Sequence, residues 1–214
     1  MKDIRVFAPV LLALFLVSCA GSYQVVQIPQ YAADLYPLSQ TKAGVTIAID
    51  EIKNPTRVAR YFGADLIRVG VLPVSIVVSN HGENRAVVKP SDILLHRGKE
   101  IIDPIPVEVV AAAAKRQHGT LRSETEKKVD SFFENIAFKE TVLLPNDTYQ
   151  GVMFFAIPRT GERRGRFFTV LRAFREEGPR ILLGVTDLDT GERLRFGPLS
   201  LSFPEHGSTR FRRR

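Results

Sequence analysis

Cysteine is almost absent from this chain of 214 residues, which contains a single one, Cys19. One thiol cannot form an intramolecular disulfide, so the hydrophobic core has to hold the fold alone. Only two methionines are present, which leaves no basis for a methionine-rich copper site. Long apolar runs are scarce as well. Beyond the N-terminus, none reaches the 18 residues that predict a transmembrane helix.

Common catalytic and ligand-binding motifs are also missing. The sequence has no Gly-x-Ser-x-Gly nucleophile turn and no glycine-rich phosphate loop. No two histidines are four residues apart, the spacing at which a helix presents both to one metal ion; the histidines are His81, His96, His118 and His206. Ser39–Lys42 matches Ser-x-x-Lys, but the partner motifs of that enzyme class are absent, so we interpret the match as chance. We therefore predict no catalytic residue, no metal site and no cofactor.

The acidic segment Asp187–Glu192 has the spacing that begins a calcium-binding loop. An EF-hand loop would need an oxygen ligand in place of Gly191 and a glycine in place of Glu192. It would also need a glutamate where Pro198 stands. The segment is therefore predicted to be a hairpin turn.

The first 22 residues have the layout of a signal peptide. Lys2 and Arg5 precede the apolar run Val6–Val17, and small residues surround Cys19. The run is shorter than the roughly 20 residues that span a bilayer. Leu16-Val17-Ser18-Cys19 resembles the lipobox of bacterial lipoproteins. The resemblance implies that the Cys19 thiol receives a diacylglyceryl group, that the chain is cut before it, and that the new N-terminus is acylated.

The alternative is an ordinary secretory signal with a chance cysteine. The lipobox resemblance also implies a location in the outer membrane, because Ala20 occupies the position where an aspartate often marks retention in the inner membrane. We therefore expect a lipid-anchored protein at the periplasmic face of the outer membrane. Three acyl chains would hold it stably, since a single chain gives only marginal binding.

The chain divides into four parts. Residues 1–18 are the expected signal peptide, 19–42 a lipidated tether, 43–204 a single domain, and 205–214 a basic tail. Without residues 1–18, the 196 remaining residues keep 28 basic and 22 acidic side chains, a net charge of +6. That length suits one domain. Prolines 29 and 37 break any helix in the tether, which predicts a partly extended stalk that lifts the domain off the bilayer.

Short apolar segments with alternating or β-branched residues predict many strands. They lie at residues 45–50, 72–79, 85–89, 93–97, 137–144, 152–157, 167–174, 181–186 and 199–203. In residues 72–79 the apolar side chains share one face, and Gly82 in the following turn is expected to have a positive φ. Residues 152–157 are apolar on both faces, which predicts a central strand.

Helical signals interrupt the strands at two places. Asn54 is a plausible N-cap, Pro55 suits the first helical position, and Gly63 suits the stop of a short helix. Residues 104–136 contain strong helix formers and predict a helical insertion. The predicted fold is therefore mainly β: an immunoglobulin-like antiparallel β-sandwich with a short N-terminal helix and a helical insertion.

A resemblance supports this fold. The chain is similar to a group of uncharacterised, immunoglobulin-like bacterial lipoproteins over roughly half its length. The residues that carry the similarity are Gly44–Ala48, Tyr61–Leu66, Gly70–Val74, Val78–Gly82, Leu144-Pro145 and Tyr149–Val152. The resemblance implies the sandwich and its insertion, but no activity.

Two basic clusters are candidate contacts with an anionic surface such as lipid, lipopolysaccharide or acidic glycan. A solvated loop and tail are the alternative. An exported, tethered protein is not expected to bind nucleic acid. The clusters are Arg159, Arg163, Arg164 and Arg166, and Arg210, Arg212, Arg213 and Arg214.

Three functions fit these observations. The first is a non-catalytic accessory module that presents its strands and loops to another envelope protein or a glycan. The second is a binding protein whose ligand lies between the helical insertion and the sheet. The third is an envelope hydrolase with scattered carboxylates or histidines. Candidate wall residues for the second, which would otherwise pack in the core, are Phe132, Phe133, Tyr149 and Phe154.

Overall fold

The computed structural model describes residues 23–156 and 178–201. Within them the chain forms two antiparallel sheets packed on one hydrophobic core, which confirms the mainly β prediction. The first sheet has the order β1-β2-β3-β7 and the second the order β5-β4-β8-β9, with β6 beside β4. The strands are β1 (Ser39–Lys42), β2 (Val45–Glu51), β3 (Val71–Asn80), β4 (Ala86–Arg97), β5 (Glu100–Ile102), β6 (Thr141–Leu143), β7 (Thr148–Ala156), β8 (Arg180–Asp187) and β9 (Arg193–Ser200).

Two sheets that share one core form a β-sandwich. β4 runs through Pro90 as one strand, and the predicted interruption is a shift in its register against β8 between Val88 and Ile93. β9 begins at Arg193, earlier than the predicted start at residue 199.

The first helix, α1 (Pro55–Phe62), forms where the capping signals predict it. The Asn54 side-chain oxygen accepts hydrogen bonds from the backbone N–H groups of Thr56 and Arg57, at 2.9 and 3.1 Å. Gly63 ends the helix with a φ of 63°, a conformation that costs glycine little. Val58 and Phe62 are fully buried and fix the helix on the core.

The tether predicted over residues 19–42 is not a tether from residue 23 onward. Residues 23–38, here called the N-terminal segment, pack against the domain, and Ser39–Lys42 pair with β2 as an edge strand. Ala33 is fully buried, and its N–H donates to the Ser79 hydroxyl at 3.0 Å. Gln150 donates to the Pro29 carbonyl at 3.3 Å. The segment contains no α-helix, as the prolines predict, and it packs as extended chain apart from the short 3₁₀ helix Ala33–Leu35.

The N-terminal segment explains why all ten residues of β3 are buried. One face of β3 contributes to the main core, as predicted for Leu72, Val74, Ile76 and Val78. Val77 lies on the other face, in a small second cluster with Ala33 and Ala48.

The helical insertion consists of α2 (Val107–Gln117) and α3 (Ser123–Ile136), as predicted. Among the described residues, β7 has β3 as its one neighbour in the sheet order, so β7 is an edge strand there and not the central strand that its apolar sequence suggested. Residues on either side of the insertion bond to the outer edge of β7. The N–H of Ile105 donates to the Phe154 carbonyl at 2.7 Å, and the N–H of Phe138 donates to the Val152 carbonyl at 3.0 Å. This contact, rather than a second long strand, buries β7 on both sides.

The expected positive φ of Gly82 is also wrong. The glycines with positive φ between residues 44 and 98 are Gly44, Gly63, Gly70 and Gly98. Steric restriction favours glycine at position 82, because a Cβ there would lie 3.3 Å from both the Ala43 carbonyl oxygen and the Asn80 side-chain oxygen.

Candidate binding groove

An open groove of about 680 Å³ lies between α2 and the turn that leads into β3. Its apolar surface comes from Val69, Val71, Ile105, Val109, Val110 and Ala113. Arg68, Arg116 and Gln117 add the polar groups. None of the described residues that line the groove is acidic. We refer to this feature as the groove.

Hydrogen bonds hold the two walls of the groove in place. In the turn, the N–H groups of Val69 and Val71 both donate to the Leu66 carbonyl, at 3.1 and 2.9 Å. The Gln117 amide joins this turn to α2, because its oxygen accepts from the N–H of Asp65 and its nitrogen donates to the Asp65 carbonyl, both at 3.0 Å. The groove is therefore a preformed feature of the fold.

Two exposed arginines give the groove its charge. Neither the Arg68 nor the Arg116 side chain forms an ion pair with another described residue, and both are exposed. A guanidinium group binds a carboxylate through two parallel N–H donors. An apolar surface flanked by two such groups fits a partner that combines apolar side chains with a negative charge.

The N-terminal segment begins next to the groove, at a contact that we call the Tyr23 corner. The Tyr23 hydroxyl donates to the Phe62 carbonyl at 2.7 Å. Its ring meets the rings of His118 and Phe132 edge-on, with centroids 5.6 and 6.0 Å away. His118 Nε2 lies 2.6 Å from the Gly63 carbonyl oxygen. Burial raises the pKa of Tyr23 well above its ordinary value of 10.0.

The aromatic residues considered as ligand walls are part of the core. Phe133 and Phe154 are buried and meet at 5.8 Å between centroids, and Phe62 lies 6.2 Å from Phe133. Phe132 and Tyr149 are partly buried and pack against the same cluster. These four residues therefore have the core-packing role that was the alternative to a ligand wall.

The acidic segment Asp187–Glu192 forms the predicted hairpin turn between β8 and β9. Asp187 accepts hydrogen bonds from Asn84 and from the N–H groups of Asp189 and Thr190, at 2.8, 2.9 and 2.9 Å. The Asn84 bond is the main cause of the lowered pKa of Asp187. These bonds are those of a structural turn, and residues 23–156 and 178–201 contain no cluster of three potential metal ligands.

The other site residues predicted from the sequence lie outside the described residues. These are Cys19 and the two arginine clusters at 159–166 and 210–214, together with the predicted strand at 167–174 and the basic tail. In the part that the structure describes, no helix has the length and apolar character needed to cross a membrane.

Sequence reasoning did not find the groove. Its walls come from residues 68–71 and 105–117, which are separated along the chain. The available signal was the pair of cations near the end of α2, Lys115 and Arg116, which the helix dipole explains equally well. The position of Arg68 opposite α2 depends on the tertiary fold.

Comparison with known proteins gives only distant likenesses. No protein-family model matches the chain, and no curated protein matches it. A crystal structure from Bacillus subtilis, named "a putative lipoprotein (ycdA)", aligns with a TM-score of 0.37 and 12% identity over 78% of this chain, which spans 37% of that one. The yjhA protein of Bacillus subtilis aligns with a TM-score of 0.38 and 8% identity, covering 75% of this chain and 95% of its own. Neither likeness extends to function.

Proposed function

We propose that this protein is a lipid-anchored component of the bacterial cell envelope that acts as a non-catalytic interaction module. Lipidation of Cys19 would hold it at the periplasmic face of the outer membrane. The lipobox resemblance supports the anchor. The observation that carries the interaction role is the groove, with its preformed apolar surface and two arginines that lack an acidic partner among the described residues.

The proposed partner is a segment of another envelope protein that carries apolar side chains next to an acidic one. Its apolar side chains would cover Val109 and the buried floor around Val110, and its carboxylate would pair with Arg68 or Arg116. A glycan fits less well, because about half of the groove surface is apolar. A hydrolase that acts through two carboxylates is not favoured at this groove, since no acidic residue lines it.

Photo-crosslinking in intact cells tests this proposal. A photoreactive amino acid replaces Val109, which is 52% exposed in the groove, or Leu188, which is 41% exposed in the turn between β8 and β9. We expect the Val109 probe, and not the Leu188 control, to capture one envelope protein. The double variant Arg68→Glu, Arg116→Glu should abolish the adduct. Identical adducts at both positions, or an adduct indifferent to the charge reversal, would contradict the proposal.

The volume of the groove favours a second candidate, a binding protein for a small anionic amphiphile. Pockets for small molecules are typically about 300–1,000 Å³, and this groove lies in that range. Native mass spectrometry of the protein purified from cells distinguishes the two. A bound mass that disappears in Arg68→Glu, Arg116→Glu would favour the small ligand.

A further inference from the structure

We propose that the domain lies directly on the bilayer, with the Tyr23 corner facing the lipid headgroups. The inference rests on the proposed lipidation of Cys19. Its geometric basis is the short distance along the chain between the proposed anchor and the first residue packed on the domain. Tyr23 follows Cys19 by four residues, which span at most about 14 Å when fully extended.

The attachment of Tyr23 leaves little freedom for a stalk. Its hydroxyl bonds to α1 at the Phe62 carbonyl, and its ring contacts His118, the C-cap of α2, and Phe132 of α3. A Cβ added to Gly63 would lie 2.4 Å from the Tyr23 ring, which shows how closely the ring covers α1. Three residues further on, the N–H of Val26 donates to the Arg60 carbonyl at 3.0 Å. The proposed anchor would therefore be attached close to the helical end of the domain and not at the end of a long linker.

The surface around the Tyr23 corner is basic. Three exposed arginines lie within four residues of a residue that contacts Tyr23: Arg60, Arg116 and Arg122. The acidic residues within four positions of these contacts are Asp65, Asp130 and Glu134, and Asp130 pairs with Lys115 at 2.8 Å. Each cation near an anionic bilayer strengthens binding by about fivefold at low ionic strength. The helical end thus matches the anionic surface to which the proposed anchor would hold it.

The turn end of the sandwich points away from the bilayer in this arrangement. β3 runs from Val71, beside the groove, to Asn80, and its ten residues cover about 33 Å. Leu188 lies beyond the Asn80 end, where its N–H donates to the Arg85 carbonyl at 2.8 Å. The groove lies at the membrane-facing end, because Gln117 on its rim directly precedes His118.

Fluorescence quenching in vesicles tests the orientation. The full lipidated protein carries one added cysteine, Thr120→Cys beside the Tyr23 corner or Leu188→Cys at the far end, labelled with a fluorophore. The vesicles contain phosphatidylglycerol and a lipid with a nitroxide on its headgroup. We expect quenching at position 120 to exceed that at position 188 several-fold. Equal quenching, or stronger quenching at position 188, would overturn the inference.

Two further measurements separate the possible failures. Mass spectrometry of the N-terminal peptide reports acylation of Cys19, so an unmodified peptide contradicts the anchor itself. An acylated protein whose label at position 188 is quenched contradicts only the orientation. In Arg60→Glu, Arg122→Glu, the preference for position 120 should largely disappear, whereas Arg195→Glu on β9 should leave it unchanged. An unchanged preference in the arginine variant, or an equal loss in Arg195→Glu, would mean that the arginines do not face lipid.

Discussion

At the scale of single residues, this protein is most constrained where two turns meet. The β1–β2 turn has positive φ at Ala43 and Gly44, 45° and 78°, as a type I′ turn requires. A Cβ on Gly44 would lie 2.6 Å from the Gly82 Cα. Gly191 has a similar φ of 76° with no atom within 4 Å of such a Cβ. Substitution of Gly44 would therefore add both backbone strain and a steric clash, whereas substitution of Gly191 would add backbone strain alone.

We predict that Gly44→Ala lowers the free energy of unfolding by about 3 kcal/mol, since the clash adds to the strain of a left-handed residue. Gly191→Ala carries only that strain and should cost about 1 kcal/mol. Urea denaturation of both variants measures the difference. Equal losses would mean that the two turns are free to move apart.

The second residue-scale prediction concerns the Tyr23 hydroxyl. Its donated bond to Phe62, at 2.7 Å, should make the wild type about 1 kcal/mol more stable than Tyr23→Phe at pH 7. Burial raises the pKa of Tyr23 in the folded state, so above pH 10 the unfolded chain releases this proton while the folded chain retains it. Stability that is fully present below pH 10 is therefore lost as the pH rises. The difference in free energy of unfolding between the wild type and Tyr23→Phe should be smaller at pH 11 than at pH 7, as measured by urea denaturation. An equal difference at both pH values would contradict the burial of this hydroxyl.

At the scale of elements, sequence signals succeed where they are local. The cap at Asn54, the proline after it and the stop at Gly63 predict α1 closely, and alternation predicts β3. The N-terminal segment has no such signal. Its burial depends on the outer face of β3, where Ser75, Val77 and Ser79 need a cover that no pattern within residues 23–38 reveals. The groove was missed for the same reason, since two distant stretches build it.

The N-terminal segment supplies the element-scale prediction. Ala33 is fully buried between the segment and β3, whereas Leu35 in the same short 3₁₀ helix, Ala33–Leu35, is 69% exposed. Ala33→Asp places a carboxylate where no water reaches and should cost at least about 2 kcal/mol or release the segment. Leu35→Asp is the matched control and should change stability little. Urea denaturation with limited proteolysis near residue 33 reports both, and equal sensitivity of the two variants would show that the segment is not packed.

At the scale of the whole molecule, the insertion is part of the sandwich, because it covers one sheet edge and contributes side chains to the core. β7 has an outer edge that pairs with no long strand among the described residues. Ile105 and Phe138, which flank the helices, donate hydrogen bonds to that edge. Phe133 from α3 fills the core against Phe62 and Phe154. Without α2 and α3, the aromatic cluster of Phe62 and Phe154 would be exposed beside an edge that only these two bonds cover, which would favour association between molecules.

We therefore predict that replacing residues 106–136 with a short Gly-Ser linker yields a protein that self-associates and binds hydrophobic dyes. The linker can close the gap because Ile105 and Phe138 bond to β7 residues only two apart, Phe154 and Val152. Lys115→Ala is the control: it removes only the ion pair with Asp130, at 2.8 Å and partly exposed, and should cost no more than about 1 kcal/mol. Light scattering, which reports self-association, and the cooperativity of urea unfolding distinguish the shortened protein from Lys115→Ala. A shortened protein that stays monomeric and unfolds cooperatively would show that the two sheets alone form a sufficient core, and would make the insertion, with its half of the groove, an independent addition to the sandwich.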